Sequence, residues 1–177
     1  MNELLAQLTY PFAPQAISWK PGATKDNKCM ALAYADLRAY QERLDELCGL
    51  DWSCRYVPWP GVGLICELTI AGVTRSATGE ADAQDEKNSM AGSVTEAMAF
   101  KRAAAMFGLG RYLYTLASPW VEFDAGRRRI SDTGQRELDA RYQKWYEAKM
   151  AALKAKAEQH GGQEAVLPGE YGMLHGA

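Results

Sequence analysis

Three short β-rich runs follow one another between Trp52 and Thr78, with only tight turns between them. Trp52–Trp59 has strand character, Pro60-Gly61-Val62-Gly63 is strong turn chemistry, and Leu64–Ile70 is aliphatic and β-branched. Ala71-Gly72 turns the chain again into Val73–Thr78. Parallel strands need a crossover of a dozen or more residues. Turns this short therefore imply an antiparallel meander.

A helix is expected on each side of it. Asp36 is a suitable N-cap, and Leu37, Tyr40, Leu44, Leu47 and Cys48 then recur at helical spacing up to Gly49. This predicts a helix over 36–48. Ser93-Val94-Thr95-Glu96 fits a capping box, which predicts a second helix from Ser93 to Phe107, stopped at Gly108. Its Ala97, Ala99, Ala103, Ala104 and Ala105 make it narrow enough to lie close against a sheet. Val94, Met98 and Ala105 form one apolar line; Phe100, Ala104 and Phe107 form another, with Lys101 beside them.

The flanking segments are less regular. Residues 3–8 fit a short helix stopped by Pro11 and Pro14, and Ile17–Lys20 is extended up to Pro21-Gly22. Ala23–Asn27 reads as a polar loop, and Leu109–Leu116 and Trp120–Phe123 as short extended or irregular pieces. Residues 133–158 predict a long amphipathic helix with the stripe Leu138, Tyr142, Trp145, Met150 and Leu153. The expected fold is α+β: an antiparallel β-β-β-α core preceded by a helix, with a C-terminal amphipathic helix. The expected domains are a core over 1–130, the helix over 131–160 and a flexible tail over 161–177.

Composition narrows the function classes. Hydrophobic residues make up 47% and charged residues 24%, the balance of a soluble globular protein. No apolar run reaches the roughly 20 residues of a membrane helix. The start, Met1-Asn2-Glu3-Leu4-Leu5, is acidic where a signal peptide would be basic, so a cytoplasmic location is expected. Cys29, Cys48, Cys54 and Cys66 show no C-x-x-C spacing, and His160 and His175 lie far from them along the chain, so reduced, mostly packed thiols are expected. Glu67, Glu80, Asp82, Asp85 and Glu86 are the candidate metal carboxylates, but Asp82–Glu86 reads as a solvated acidic loop. Gly61-Val62-Gly63 is too short for a phosphate loop and lacks the following Lys-Ser/Thr. The reading assigns no catalytic residue, no metal and no cofactor.

The net charge of −2 hides an uneven distribution. From Ala99 to Arg129 the bases are Lys101, Arg102, Arg111, Arg127, Arg128 and Arg129, against Glu122 and Asp124. Lys20, Lys25 and Lys28 stand against Asp26 alone. One basic face on an acidic chain is the footprint of a nucleic-acid partner. Strand binding uses fixed cations beside aromatic rings. Lys101-Arg102 offers a pair on a rigid helix. Trp19-Lys20, Arg55-Tyr56 and Arg111-Tyr112 with Tyr114 each set a cation beside a ring.

The stretch from Thr95 to Tyr114, TEAMAFKRAAAMFGLGRYLY, resembles the signature helix of the Rad52/Rad22 single-strand annealing family. It is most similar to the phage and bacterial DdrA-like branch. Ile17-Ser18-Trp19-Lys20 resembles an early family element, Ala33-Tyr34-Ala35-Asp36 through Glu46 a family helix, and Trp120-Val121-Glu122 a closing Trp-Val. The resemblance covers roughly 15 to 123. It implies a ring- or arc-forming core that anneals complementary single strands in recombination and repair, without ATP. By position it makes Lys101, Arg102, Lys20 and Tyr34 DNA-binding residues. Arg111, Arg55, Lys25, Lys28 and Lys87 complete the candidates. Eukaryotic relatives carry a further Arg where this chain has Ala105, so Arg111 or Lys87 would supply that charge. Expected partners are single-stranded DNA, further copies of the chain, and host single-strand binding or recombination proteins, with no membrane.

Other readings stay open. A double-stranded RNA-binding domain also runs helix, three strands, helix. A metal-dependent nuclease and a plain scaffold protein are the remaining two.

Overall fold

The computed structural model describes residues 3–80 and 91–159. Lys87, the acidic loop Ala81–Ser89, both histidines and the tail 161–177 lie outside the described residues. In chain order the elements are α1 (Glu3–Leu8), β1 (Ile17–Lys25), β2 (Lys28–Ala35), α2 (Leu37–Cys48), β3 (Trp52–Trp59), β4 (Gly63–Ile70), β5 (Val73–Glu80), α3 (Ala91–Phe107), β6 (Trp120–Asp124), β7 (Arg129–Ile130) and α4 (Asp132–Gln159). Among the described residues no helix is long and apolar enough to cross a membrane. The fold is α+β with antiparallel sheets, as the sequence predicts. The chain forms two compact units, one holding the described residues up to Tyr10 with Leu37–Arg111, the other Pro11–Asp36 with the described chain from Tyr112.

The first unit holds the predicted meander. β3, β4 and β5 form a three-stranded antiparallel sheet in that order. In β4, Cys66, Leu68 and Ile70 are buried while Glu67 and Thr69 between them are more exposed, the alternation expected of a strand with one covered face. α3 packs on β4 and β5. Its buried residues are Thr95, Ala99, Phe100, Ala103, Ala104 and Phe107. The approach is very close at Gly79, where an added Cβ would lie 2.8 Å from the Ala99 amide nitrogen and 3.0 Å from the Ala99 Cβ. The small side chains of α3 thus meet a side-chain-free point on β5.

Two expectations for α3 are corrected. It begins at Ala91, so Ser93 is the third helical residue rather than the cap. Ala91 is a strong helix former and carries the helix past the first capping-type residue. The line of Val94, Met98 and Ala105 is not the packed one: Val94 is exposed and Met98 and Ala105 are half-buried. The packed line is the other one, Phe100, Ala104 and Phe107, joined by Thr95, Ala99 and Ala103. The predicted stop holds. Gly108 takes φ 103°, and Leu109 N donates to Ala104 O at 3.2 Å.

The second unit was largely hidden in the sequence. Its four-stranded sheet runs β1-β2-β6-β7. Ala23–Asn27 is not a loop: β1 continues to Lys25, and Asp26 and Asn27 make a two-residue hairpin turn with φ 50° and 56°. A register shift between Pro21 and Thr24 marks a bulge that bends this arm. Of the two readings of Leu109–Leu116, extended or irregular, the irregular one holds: it contains a 3-10 turn at Arg111–Tyr114. One side of the sheet is covered: Cys29, Ala31, Val121, Ile130 and Leu138 form a buried cluster, with Trp19 and Phe123 packed against it. Leu138 comes from α4, as does Tyr142, whose hydroxyl donates to Phe12 O at 2.8 Å. The Tyr142 ring meets Trp19 edge-on at 6.5 Å and lies 5.4 Å from Trp145.

Candidate nucleic-acid interface

In the first unit, the candidate cations of α3 divide by what they touch. Lys101 is half-buried, and its Nζ lies 5.8 Å from the centre of the Tyr40 ring, a cation–π distance. Tyr40 is a buried residue of α2. Arg102 reaches sideways to β5, its Nη1 donating to Thr78 O at 2.9 Å and lying 3.4 Å from Glu80 Oε1. Arg111 folds back over the end of α3. Its Nε donates to Ala105 O at 2.6 Å and its Nη2 to Met106 O at 2.7 Å. The last carbonyls of a helix have no partners within it and carry the negative end of the macrodipole, so a guanidinium there stabilises it. Arg75 of β5 does the same, donating to Met106 O with its Cζ 4.6 Å from the Phe107 ring centre. Sequence reasoning passed over Arg75, although it is the one base in β5 and is flanked there by Thr74 and Ser76.

Arg55 is not brought together with these groups. It pairs with Glu67 across β3 and β4, on the sheet face that also carries Thr69 and Ser76, opposite the α3 face. Both its Nε and Nη2 donate to Glu67 Oε2, at 2.9 and 2.6 Å. Of the five carboxylates named as candidate metal ligands, the two among the described residues, Glu67 and Glu80, are therefore each held by an arginine.

In the second unit, four candidates share one sheet face. The register sets Ser18 opposite Tyr34 and Lys20 opposite Leu32, and, at the hairpin end, Lys25 opposite Lys28. On the other side of β2, Lys28 faces Glu122 and Met30 faces Trp120. Alternation then puts Lys20, Lys25, Lys28 and Tyr34 on the face away from the buried cluster. All three lysines are exposed, and Tyr34 and Trp120 stand 39% and 47% exposed. None of the three lysines forms an ion pair with a described residue. Like charges directly opposite on a sheet repel, so Lys25 and Lys28 mark a place where an anion would be favoured. Glu122 is engaged elsewhere, accepting from Ser131 Oγ at 2.8 Å.

The cysteines form no disulfide. Burial raises the Cys29, Cys48 and Cys54 thiols, and pushes that of Cys66, deep in the first unit's core, up to about 12. Each stays protonated at neutral pH; Cys29 and Cys66 are packed as the sequence predicts, whereas Cys48 is half-buried and Cys54 exposed.

Residues 1–128 match the profile of the Rad52/22 family double-strand break repair protein. The chain belongs to the Rad52/22 family. It is 37% identical over 133 residues to the single-stranded DNA-binding protein DdrA of Deinococcus radiodurans, covering 72% of this chain and 62% of that protein. The corresponding protein of Deinococcus deserti is also 37% identical over 133 residues, covering 72% and 65%. This Rad52/22 chain thus matches a little under two thirds of each relative's length. No solved structure matches it. The family match ends inside the β6–β7 turn, before α4.

Proposed function

We propose that this protein binds single-stranded DNA and anneals complementary strands, without ATP, in recombinational double-strand break repair. The observation that carries the reading is the sheet face of the second unit, where Lys20, Lys25 and Lys28 stand exposed on the same face as the Tyr34 ring, with Lys20 nearest to it and Lys25 and Lys28 at the hairpin end. Cations held on a rigid surface neutralise phosphates, and a neighbouring ring accepts bases of any sequence. The family and the name borne by both relatives point to the same ligand. On this reading Lys20, Lys25, Lys28 and Lys101 meet phosphate. Arg102 and Arg111, tied to Thr78, Ala105 and Met106, keep α3 in position and lend it positive field. Arg55 contributes least, since Glu67 holds its guanidinium. Lys87 remains a candidate beside them.

The working form on this reading is a ring or arc of many copies acting in the cytoplasm, with host single-strand binding or recombination proteins as further partners. No step requires a bond to be made or broken by the protein, because annealing needs only strands held with their bases free to pair.

The test is annealing of complementary labelled oligonucleotides without nucleotide. Protein should accelerate duplex formation; a rate equal to that without protein overturns the reading. Each phosphate neutralised contributes about −0.7 to the log–log salt slope for single strands. Lys28→Ala should make the slope shallower by about that amount. Competition by duplex RNA stronger than by single strands would favour the RNA-binding alternative instead.

A further inference from the structure

The second unit contains more aromatic side chains than its core uses. Most are accounted for by one another. Trp19, Tyr112, Tyr142, Trp145 and Tyr146 form a chain of ring contacts, with Tyr112 stacked on Trp145 at 5.3 Å and Tyr142 on Tyr146 at 6.4 Å. Trp120 is outside that chain. It opens β6, its strand neighbour Val121 points into the buried cluster, and its own indole faces the other way, 47% exposed. Leaving so large an apolar ring half in water has a cost in free energy that a bound partner would remove.

Its neighbours state what that partner should be. Trp120 pairs with Met30, which lies two positions from Lys28 and four from Tyr34 on the same side of β2. Lys20 shares this face from β1. An apolar protein partner would be poorly served by three exposed lysines. A strand of nucleic acid matches both halves of the surface: phosphates for the lysines and base faces for the rings.

We infer that Trp120 is a base-stacking residue of the strand-binding face, acting with Tyr34 on bases of the same single strand. This rests on the single-strand-binding reading above. Four residues of β2 separate the two positions, roughly 14 Å at about 3.4 Å per residue. The rings therefore engage different bases and do not sandwich one. Stacking is indifferent to base identity, so the face holds strands without sequence preference.

The experiment compares two oligonucleotides of equal length, one of deoxythymidines and one of abasic sites, which keeps the phosphates and removes the bases. Trp120→Ala should weaken binding to the first by about tenfold, with its salt slope unchanged, and leave binding to the second as it was. Trp120→Phe, which keeps a ring, should recover most of the loss. Lys28→Ala should weaken both oligonucleotides and flatten both slopes. If Trp120→Ala leaves the deoxythymidine affinity unchanged, or lowers both affinities equally, stacking is refuted while strand binding stands. If the unaltered protein binds neither oligonucleotide, strand binding itself falls and this inference with it. Matching thermal melts of the two Trp120 variants exclude a loss through unfolding.

Discussion

Arginine and lysine are read alike in a sequence, yet here their local chemistry separates them. The guanidinium of Arg111 spans two carbonyls at the end of α3, and that of Arg102 spans a backbone carbonyl and a carboxylate. A planar fork suits such double attachments, whereas an ammonium is a point charge on a flexible stem. The three lysines of the second unit's sheet stay in solvent. Arg111→Ala should therefore destabilise the protein by about 1 kcal/mol through the lost cap, with little change in salt slope. A thermal melt and a salt titration separate the two effects. Cys66 gives a pH prediction. Its thiol is raised from 9.0 to about 12 in the folded state, so the folded protein holds a proton that the unfolded chain releases. That stabilisation is complete below pH 9 and declines as pH rises from 9 toward 12. Denaturant midpoints over this range should fall with pH, and Cys66→Ala should flatten that part of the fall. None of these distinctions was legible from residue identity, because partners such as Thr78, Ala105 and Glu67 are set by the fold.

At the level of elements, what was legible followed from turn chemistry and period. The meander between Trp52 and Glu80 has glycine at both turns and a clean alternation in β4, and the sequence placed it to within a residue or two. The β1–β2 hairpin was missed because Asp26-Asn27 makes its turn without glycine and Ala23-Thr24 on the exposed arm look like loop. Asn27→Gly should stabilise this hairpin by about 0.5 kcal/mol, since glycine reaches positive φ without a Cβ penalty. A melt higher than that of the unaltered protein is the expected result. The α3–sheet contact yields a larger effect. In Gly79→Ala the new methyl would meet the Thr95 carbonyl and the Ala99 amide, backbone atoms that cannot swing away. A loss of about 3 kcal/mol is expected. Urea unfolding measures it, and an unchanged midpoint would mean that α3 is not held as described.

For the molecule as a whole, the class of fold and the family resemblance were legible in the sequence, and the division into units was not. Segments far apart in sequence complete each unit, and no local period reports that. Lys20 and Tyr34 belong to one unit and Lys101 to the other. The resemblance named them together; the register of β1 and β2 explains only the grouping within the second. Assembly is a prediction at this scale. A chain of 19.5 kDa that forms rings or arcs should scatter light as a particle of many times that mass. A monomer with and without single-stranded DNA would count against it.

The sheet of the second unit also has a schedule. Cys29 and Ala31 sit in a cluster closed by Leu138, more than a hundred residues later in the chain. Ribosomes add about 5–20 residues per second, so the first hairpin waits on the order of ten seconds for its cover. During that interval Trp19, Cys29 and Ala31 have water or a chaperone against them. Release of the chain before α4 has emerged should leave a sticky, half-built product, even though the family profile ends before that helix begins.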